Sequence, residues 1–305
     1  GVACALRLQL HGYRVTLIDP NDPGMGCSYG NAGIIQIGAC VPVATPGVLR
    51  DILHMLLNSD QPLAIRWPYV LHLLPYLARF LAAARSSQVE RITQILANTL
   101  NHAIDGFAPL LKAADAEHLF TKTGELYVYE TDRSFEAAKS AHELRRRQGV
   151  NIEYLDARGL RVLEPALGPI FKHAAYLTDC VAVSDPLDLT KALLNAFFAA
   201  GGVHLREKVV GFEQVDGKVH QIVTNAHVHP SDAILLATGA WSKPLAKIAM
   251  ISRFHSLQDE RMRLKIKQKS TRWPTSSQKR IDFVTTLERE FEDLPQTFWW
   301  TALNY

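Results

Sequence analysis

Cysteine is scarce: four in 305 residues, at positions 4, 27, 40 and 180, with no C-x-x-C spacing and no close histidine neighbours. That pattern carries neither a zinc module nor a disulfide framework, and it predicts free thiols in a reducing compartment. An excess of one charge is also missing. The chain has 33 Lys+Arg against 30 Asp+Glu, a formal +3, and no run of five like charges, so nucleic acid is not an expected partner. No basic stretch followed by an apolar segment and a small-residue site opens the chain, so no signal peptide is read. It begins on Gly1 rather than Met, and the start is read as cut. Long apolar runs are absent too. The uncharged stretch 31–49 is broken by Gly33, Gly38, Pro42, Pro46 and Gly47, where a spanning helix needs about 20 apolar residues. No repeat or low-complexity tract is evident. What is present, 48% hydrophobic and 21% charged residues, describes a core-forming chain long enough for two domains at about 150 residues each.

One absence is regional. Residues 251–305 contain none of the 18 glycines, although ordinary usage of about 7% would place roughly four there. The same segment holds 10 Lys+Arg and 7 Asp+Glu, whereas residues 1–250 are balanced at 23 and 23. Two compositions meet near Met250.

Along the chain, Val2, Ala3, Ala5, Leu6, Leu8 and Leu10 give an apolar helical face, and Gly12 suits the position just past a helix end. Residues 13–19 read as a buried parallel strand that stops on Asp19. A loop dense in turn residues follows, and residues 47–118 are mostly helical by period. Within them, residues 67–85 place Leu73, Leu74, Leu77, Phe80 and Leu81 on one face with a bend expected before Pro75. That face is read as core packing, with a membrane-surface helix as the alternative. A strand is expected over 124–130, a charged helix over 132–148, and a helix over 186–200 capped by Ser184 or Asp185. Strands over 203–215, 218–224 after an Asp216-Gly217 turn, and 232–238 come next, then a short helix over 241–249.

Helix, glycine, strand and terminal acid form the second half of a dinucleotide-binding β-α-β unit, in which a G-x-G-x-x-G turn sets backbone N–H groups against a pyrophosphate. Only the third glycine of such a turn is available, as Gly1; its register puts Asp19 about 20 residues from the first glycine position, where the ribose-binding acid belongs. An ordinary α/β unit with an acidic turn reads equally well on that half-motif. A second motif adds to it: Cys27-Ser28-Tyr29-Gly30-Asn31-Ala32-Gly33-Ile34-Ile35, with Ile234-Leu235-Leu236-Ala237-Thr238-Gly239-Ala240-Trp241-Ser242 far downstream. Taken with Asp19 and Asp185-Pro186, these segments make the chain resemble the FAD-dependent D-amino-acid oxidase superfamily, most closely the bacterial D-amino-acid dehydrogenases, over about residues 1–247.

The resemblance implies an α/β fold: a Rossmann-type FAD-binding domain, discontinuous in sequence, with a second α+β substrate domain. The expected parts are 1–46 and 186–247 for the FAD domain, 47–185 for the helical and substrate-domain insertion, and 248–305 as an atypical tail. It implies FAD as cofactor. Gly1 would start the phosphate-binding helix, Asp19 would meet the adenosine ribose, and Ser28, Asn31, Ala32 and Gly33 would run past the flavin with Ile34 and Ile35 near its ring. Val209 would present its backbone to the adenine, and Ala237, Thr238, Gly239, Trp241 and Ser242 would lie beside the pyrophosphate. It implies oxidation of a small-molecule D-amino acid to an oxo acid and ammonia, by hydride transfer from Cα to flavin N5. It further implies a membrane quinone or respiratory chain as electron acceptor, and a cytoplasmic location, peripheral on the inner face of the cytoplasmic membrane. A glycine or sarcosine oxidase relative, and a non-catalytic protein-binding remnant, are the alternatives.

The tail departs from the family pattern. After Lys247 no family-like strand, glycine-rich turn or return to the sheet is read, only Arg261-Met262-Arg263-Leu264-Lys265 and Phe298-Trp299-Trp300. A reading-frame change near residue 248, or a basic docking tail, is the expectation. A sheet without its first strand is expected to expose unpaired edges, retain FAD weakly and turn over nothing. The catalytic residues remain unknown. His227 and His229 share one side of an extended segment, but two ligands do not make a site, so no metal is assigned. Arg145-Arg146-Arg147 reads as a solvated helix face, and Glu125 and Glu164 form no carboxylate pair at readable spacing.

Overall fold

The structure is a computed structural model, and it describes residues 1–46, 70–215, 218–248 and 297–301. In chain order the elements begin with α1 (Val2–Leu10), β1 (Arg14–Ile18), β2 (Ile34–Ile35), α2 (Val70–Ala83), α3 (Ser86–Leu100) and α4 (Ala103–Ala114). They continue through β3 (Phe120–Thr121), β4 (Glu125–Tyr129), α5 (Asp132–Arg147), β5 (Ile152–Asp156), α6 (Ala157–Leu163), β6 (His173–Leu177) and β7 (Val181–Val183). The last third holds α7 (Pro186–Ala199), β8 (Val203–Leu205), β9 (Val209–Val215), β10 (Lys218–Thr224), β11 (Val228–Pro230), β12 (Ala233–Leu236), α8 (Ser242–Ile248) and β13 (Thr297–Thr301).

The chain divides into two compact units: Gly1–Ala32, Pro109–Glu117 and Asp185–Tyr305 form one, Gly33–Ala108 and His118–Ser184 the other. The first is built on a parallel sheet in the order β12-β13-β1-β8. β1 is apolar because it is central: Val15, Leu17 and Ile18 are all buried. Helix α1 packs on α7, and Ala5, Leu6, Leu193 and Phe197 are buried in that layer. Gln9 ties the layer to the sheet. Its Nε2 donates to the Ala200 carbonyl (2.8 Å) and its Oε1 accepts from the Val15 N–H (3.0 Å). Gly12, at φ +88, turns the chain out of α1 in the left-handed conformation that a side chain disfavours. Asp185 caps α7, accepting from the N–H groups of Leu187 and Asp188, with Pro186 in the first turn. An antiparallel meander, β9-β10-β11, completes the unit.

Two expectations change and one is sharpened. The strand over 203–215 is two strands, β8 in the parallel sheet and β9 in the meander, because the chain leaves one sheet for the other at residues 206–208. The extended segment expected at His227 and His229 is β11, a strand of the meander paired with β10. Most consequential, the tail does return to the sheet: β13 pairs in parallel with β1 (Arg14 opposite Thr297 through Ile18 opposite Thr301) and with β12 (Ala233 opposite Phe298 through Leu236 opposite Thr301). The backbone groups that were expected to lie bare on β1 and β12 are therefore paired. The Asp216-Gly217 turn and the tail from 249 to 296 lie outside the described residues.

The second unit is α+β. Its antiparallel sheet β4-β6-β5 and the small sheet β2-β7-β3 accompany a core that includes Ile37, Cys40, Ala97, Ile152, Leu177 and Cys180. Pro75 lies inside α2, and Leu74 and Tyr76 on either side of it are exposed. Residues 67–69 of the expected helix, and the side chains of 70–73, lie outside the described residues. No helix among the described residues is long and apolar enough to cross a membrane.

Candidate functional site

The carboxyl ends of β8, β1, β13 and β12 form one edge of the first unit, because all three pairings are parallel and Leu205, Ile18, Thr301 and Leu236 stand in register. In parallel α/β sheets such an edge is where ligands bind. Asp19 follows β1 there and is fully buried. Its N–H donates to the Leu205 carbonyl (3.1 Å), its Oδ1 accepts from the Asn21 N–H (3.0 Å), and the His204 imidazole Nε2 lies 3.3 Å from its carbonyl oxygen. Burial holds His204 below the ordinary imidazole value, against the pull of the Asp19 carbonyl and the Asp22 charge.

Gly1 caps α1 without any side-chain hydrogen bond, and no acid occupies the helix's first turn. The first N–H groups of an α-helix have no acceptor within the helix, so this end offers donors and a partial positive charge to an anion.

On the far side of β13, two strand spacings or about 10 Å from β1, β12 runs into Ala237 and Thr238. Thr238 is buried and its Oγ1 shares a 2.8 Å hydrogen bond with Ser242 Oγ, across a short 3-10 turn at Gly239–Trp241. Gly239 has φ +51, and a Cβ there would meet open space. Backbone can thus be approached closely at this turn. Trp241 is about half exposed, and its N–H donates to the Thr238 carbonyl.

The remaining predicted residues divide. Ser28, Asn31 and Ala32 belong to the first unit, on a partly exposed loop where the Asn31 N–H donates to the Ser28 carbonyl. Gly33 and Ile34 belong to the second unit, where the Gly33 carbonyl accepts from the Val183 N–H and Ile34 is an exposed residue of β2. Val209 is buried with Ile18, Ile222 and Leu245, so its side chain packs the core, leaving only its backbone for an adenine. The structure brings Gly1, Asp19, Ala237, Thr238, Gly239, Trp241 and Ser242 to one unit, with Asp19 and Ala237–Thr238 on one edge.

Sequence reasoning overlooked Glu207, which lies in the 206–208 bend and accepts from Thr224 Oγ1 (2.5 Å). Its carboxylate also meets His227 Nδ1 (2.9 Å) and His229 Nε2 (2.7 Å). Burial alone would raise its pKa; the hydrogen bonds from Thr224, His229 and His227 outweigh that and hold it at about 2. The signal was the acid just after β8, unreadable as a partner until the meander was known.

A family model for FAD-dependent oxidoreductases, designated DAO, matches residues 1–289. That match runs past Lys247, where the sequence reading ended the resemblance. The chain is 31% identical over 248 residues to a D-amino-acid oxidase of Bradyrhizobium diazoefficiens, covering 80% of this chain and 59% of that one. It is 26% identical over 241 residues to a D-amino acid dehydrogenase of Helicobacter pylori, covering 79% and 57%. The chain thus spans under two thirds of the length of these relatives. Among solved structures, glycine oxidase from Geobacillus kaustophilus shares the fold with a TM-score of 0.55 at 18% identity, covering 82% of this chain and 55% of that one. L-proline dehydrogenase from P. horikoshii shares it with a TM-score of 0.55 at 17% identity, covering 82% and 53%.

Proposed function

Because the chain belongs to the DAO family of FAD-dependent oxidoreductases, we propose that its first unit binds FAD at the carboxyl edge of the parallel sheet, in the service of oxidising a D-amino acid to an oxo acid and ammonia. The observation that carries this reading is Asp19, a fully buried carboxylate at the end of β1, in the same unit as the start of α1, which has no side-chain cap. The donor set suits a dinucleotide. A carboxylate accepts from the two ribose hydroxyls and repels a 2′-phosphate, and helix N–H groups donate to a pyrophosphate. Thr238 and Ser242, bonded to each other, hold the Gly239 turn in shape on the same edge.

When bound, the flavin supplies the acceptor for the hydride leaving Cα. The chain's own tasks are to fix that cofactor and to keep water from it. The Asn21 N–H keeps Oδ1 of Asp19 oriented, and Gly239 admits close backbone approach. Ser28, Asn31, Ala32, Gly33 and Ile34 are assigned to the flavin side, the second unit to the substrate, and a membrane quinone to re-oxidation at the inner face of the cytoplasmic membrane. The D-amino-acid oxidase and dehydrogenase names of the relatives favour a D-amino acid as substrate.

The test is a titration of the full chain with FAD, followed by quenching of flavin fluorescence, for the parent and for Asp19→Asn. Saturable binding that weakens by about ten-fold in the variant, roughly 1.4 kcal/mol, is expected. Absence of saturable binding, or an unchanged variant, overturns the reading. Bleaching of the bound flavin by D-amino acids, and hydrogen peroxide from glycine or sarcosine, then separate the substrate classes.

A further inference from the structure

The β9-β10-β11 meander carries a cluster that no part of the flavin reading uses. His227 and His229 stand two apart on an extended segment and so face the same side. Glu207 is brought against them from the bend before β9, with one carboxylate oxygen on each ring: Oε1 to His227 Nδ1 at 2.9 Å and Oε2 to His229 Nε2 at 2.7 Å. The three donor atoms all lie within 4.8 Å of one another. We propose that Glu207, His227 and His229 form a binding site for a divalent transition-metal ion of the zinc or cobalt class, with a fourth position open to water.

The donors fit that class. Imidazole nitrogen with one carboxylate suits borderline divalent ions, whereas magnesium and calcium take oxygen ligands. Bonds of 2.0–2.1 Å to a tetrahedral ion put donors about 3.3 Å apart, so the present hydrogen-bonded separations need to open by roughly 0.5 Å. Binding replaces hydrogen bonds without any redox step. Each neutral imidazole turns a lone pair inward and carries its N–H on the other ring nitrogen, and Glu207 exchanges its hydrogen bonds from the two rings for the cation. The Glu207 and His229 side chains are largely covered, at 13% and 15% exposure, while His227 at 70% leaves the open side to solvent.

The cluster is also held in place by neighbours that are not ligands, as durable metal sites are. Thr224 Oγ1 lies 2.5 Å from Glu207 Oε2 and accepts from the N–H groups of Ala226 and His227. Asn225 clamps the bend to the turn, its Oδ1 accepting from the Lys208 N–H and its own N–H donating to the Lys208 carbonyl. These contacts join residues 207–208 to residues 224–227, fixing the carboxylate relative to both rings.

The experiment is a titration of the chelator-stripped full chain with Co(II), read by visible absorption, followed by zinc X-ray absorption on the same preparation. One saturable equivalent is expected, with a nitrogen and oxygen shell containing two imidazoles. Glu207→Gln should weaken binding by at least about ten-fold, and the double change His227→Ala, His229→Ala should abolish it with the circular dichroism retained. Replacing the exposed Cys4 and Cys27 by serine should change nothing. No saturable binding, sulfur in the shell, fewer than two imidazoles, or loss of binding in the serine variant overturns the proposal. The absorption spectrum needs no variant, so a misfolded mutant does not shield it.

Discussion

The carboxyl edge of the parallel sheet and the polar cluster of the meander both present a carboxylate, but they are assembled in opposite ways. Asp19 depends on segments far apart in sequence: α1 and β1 at the start, β8 near residue 205, and β13 near residue 300. Glu207 depends on a few neighbours between residues 207 and 229. The Asp19 carboxylate accepts from the Asn21 backbone N–H, on a strand edge suited to an organic ligand with hydroxyls and phosphates. Glu207 is served by two imidazoles and a hydroxyl, suited to a proton or a metal ion. The lesson is that the edge draws its groups from across the whole chain, whereas the cluster draws its own from residues 207–229.

The largest expected effect breaks the first region alone. Phe197 is fully buried in the helix layer behind the sheet, and its ring lies where a Cβ on Gly202 would stand. Phe197→Ala should cost about 3–5 kcal/mol of stability, measured by urea unfolding, and should abolish FAD quenching. The Co(II) spectrum should survive at denaturant concentrations where flavin binding has gone. Loss of both signals at the same midpoint would show that the two regions unfold as one.

A smaller effect separates them by pH. The folded pKa of Glu207 is held at about 2, below an ordinary value of 4.5. The stability it confers is therefore fully present above pH 4.5 and lost as pH falls toward 2, because the unfolded chain takes up the proton first. In the second unit, burial, with the charges of Arg145 and Arg146, pushes His142 from 6.5 down to about 4. Stability tied to His142 is thus present above pH 6.5 and lost on acidification toward 4, a window above that of Glu207. Thermal unfolding from pH 7 to 2 should show two acid limbs, with Glu207→Gln removing the lower and His142→Phe the upper. A single limb untouched by either change would refute both assignments.

How much of this was legible in the sequence follows the same division. α1, Gly12, β1 and Asp19 were readable because a 3.6-residue period, a left-handed glycine and a β-branched run are local signals. The edge residues 237–242 were readable only through the family motif. β13 was missed although Thr297, Phe298, Trp299 and Trp300 are strand formers, since pairing across nearly the whole chain leaves no periodic trace. The tail's lack of glycine and its excess of basic residues instead set its composition apart from the rest of the chain. Glu207 was missed because its partners are set by the β9–β10 register, with its shifts between Val219 and Gln221 and between Val223 and Thr224. Spacing alone does not encode that register. His227 and His229 were seen as a pair because alternation on a strand is local; their third partner was not.

The smallest effect concerns the edge at its returning end. Thr238 and Ser242 share a buried 2.8 Å hydrogen bond, and Thr238 is 2% exposed. Thr238→Val keeps the shape and removes the hydroxyl, leaving Ser242 Oγ without this partner, at a cost of roughly 1 kcal/mol. If the turn serves only packing, FAD affinity should follow the parent once the loss of stability is allowed for. If it holds the Gly239 backbone ready for a pyrophosphate, FAD should bind several-fold more weakly under conditions where both proteins are fully folded. Co(II) binding at the meander should be unchanged in either case. The expected outcome is the second, since Gly239 stands in a left-handed conformation and, among the described residues, nothing lies within reach of a Cβ there, an arrangement better explained by a ligand's approach than by the needs of the core.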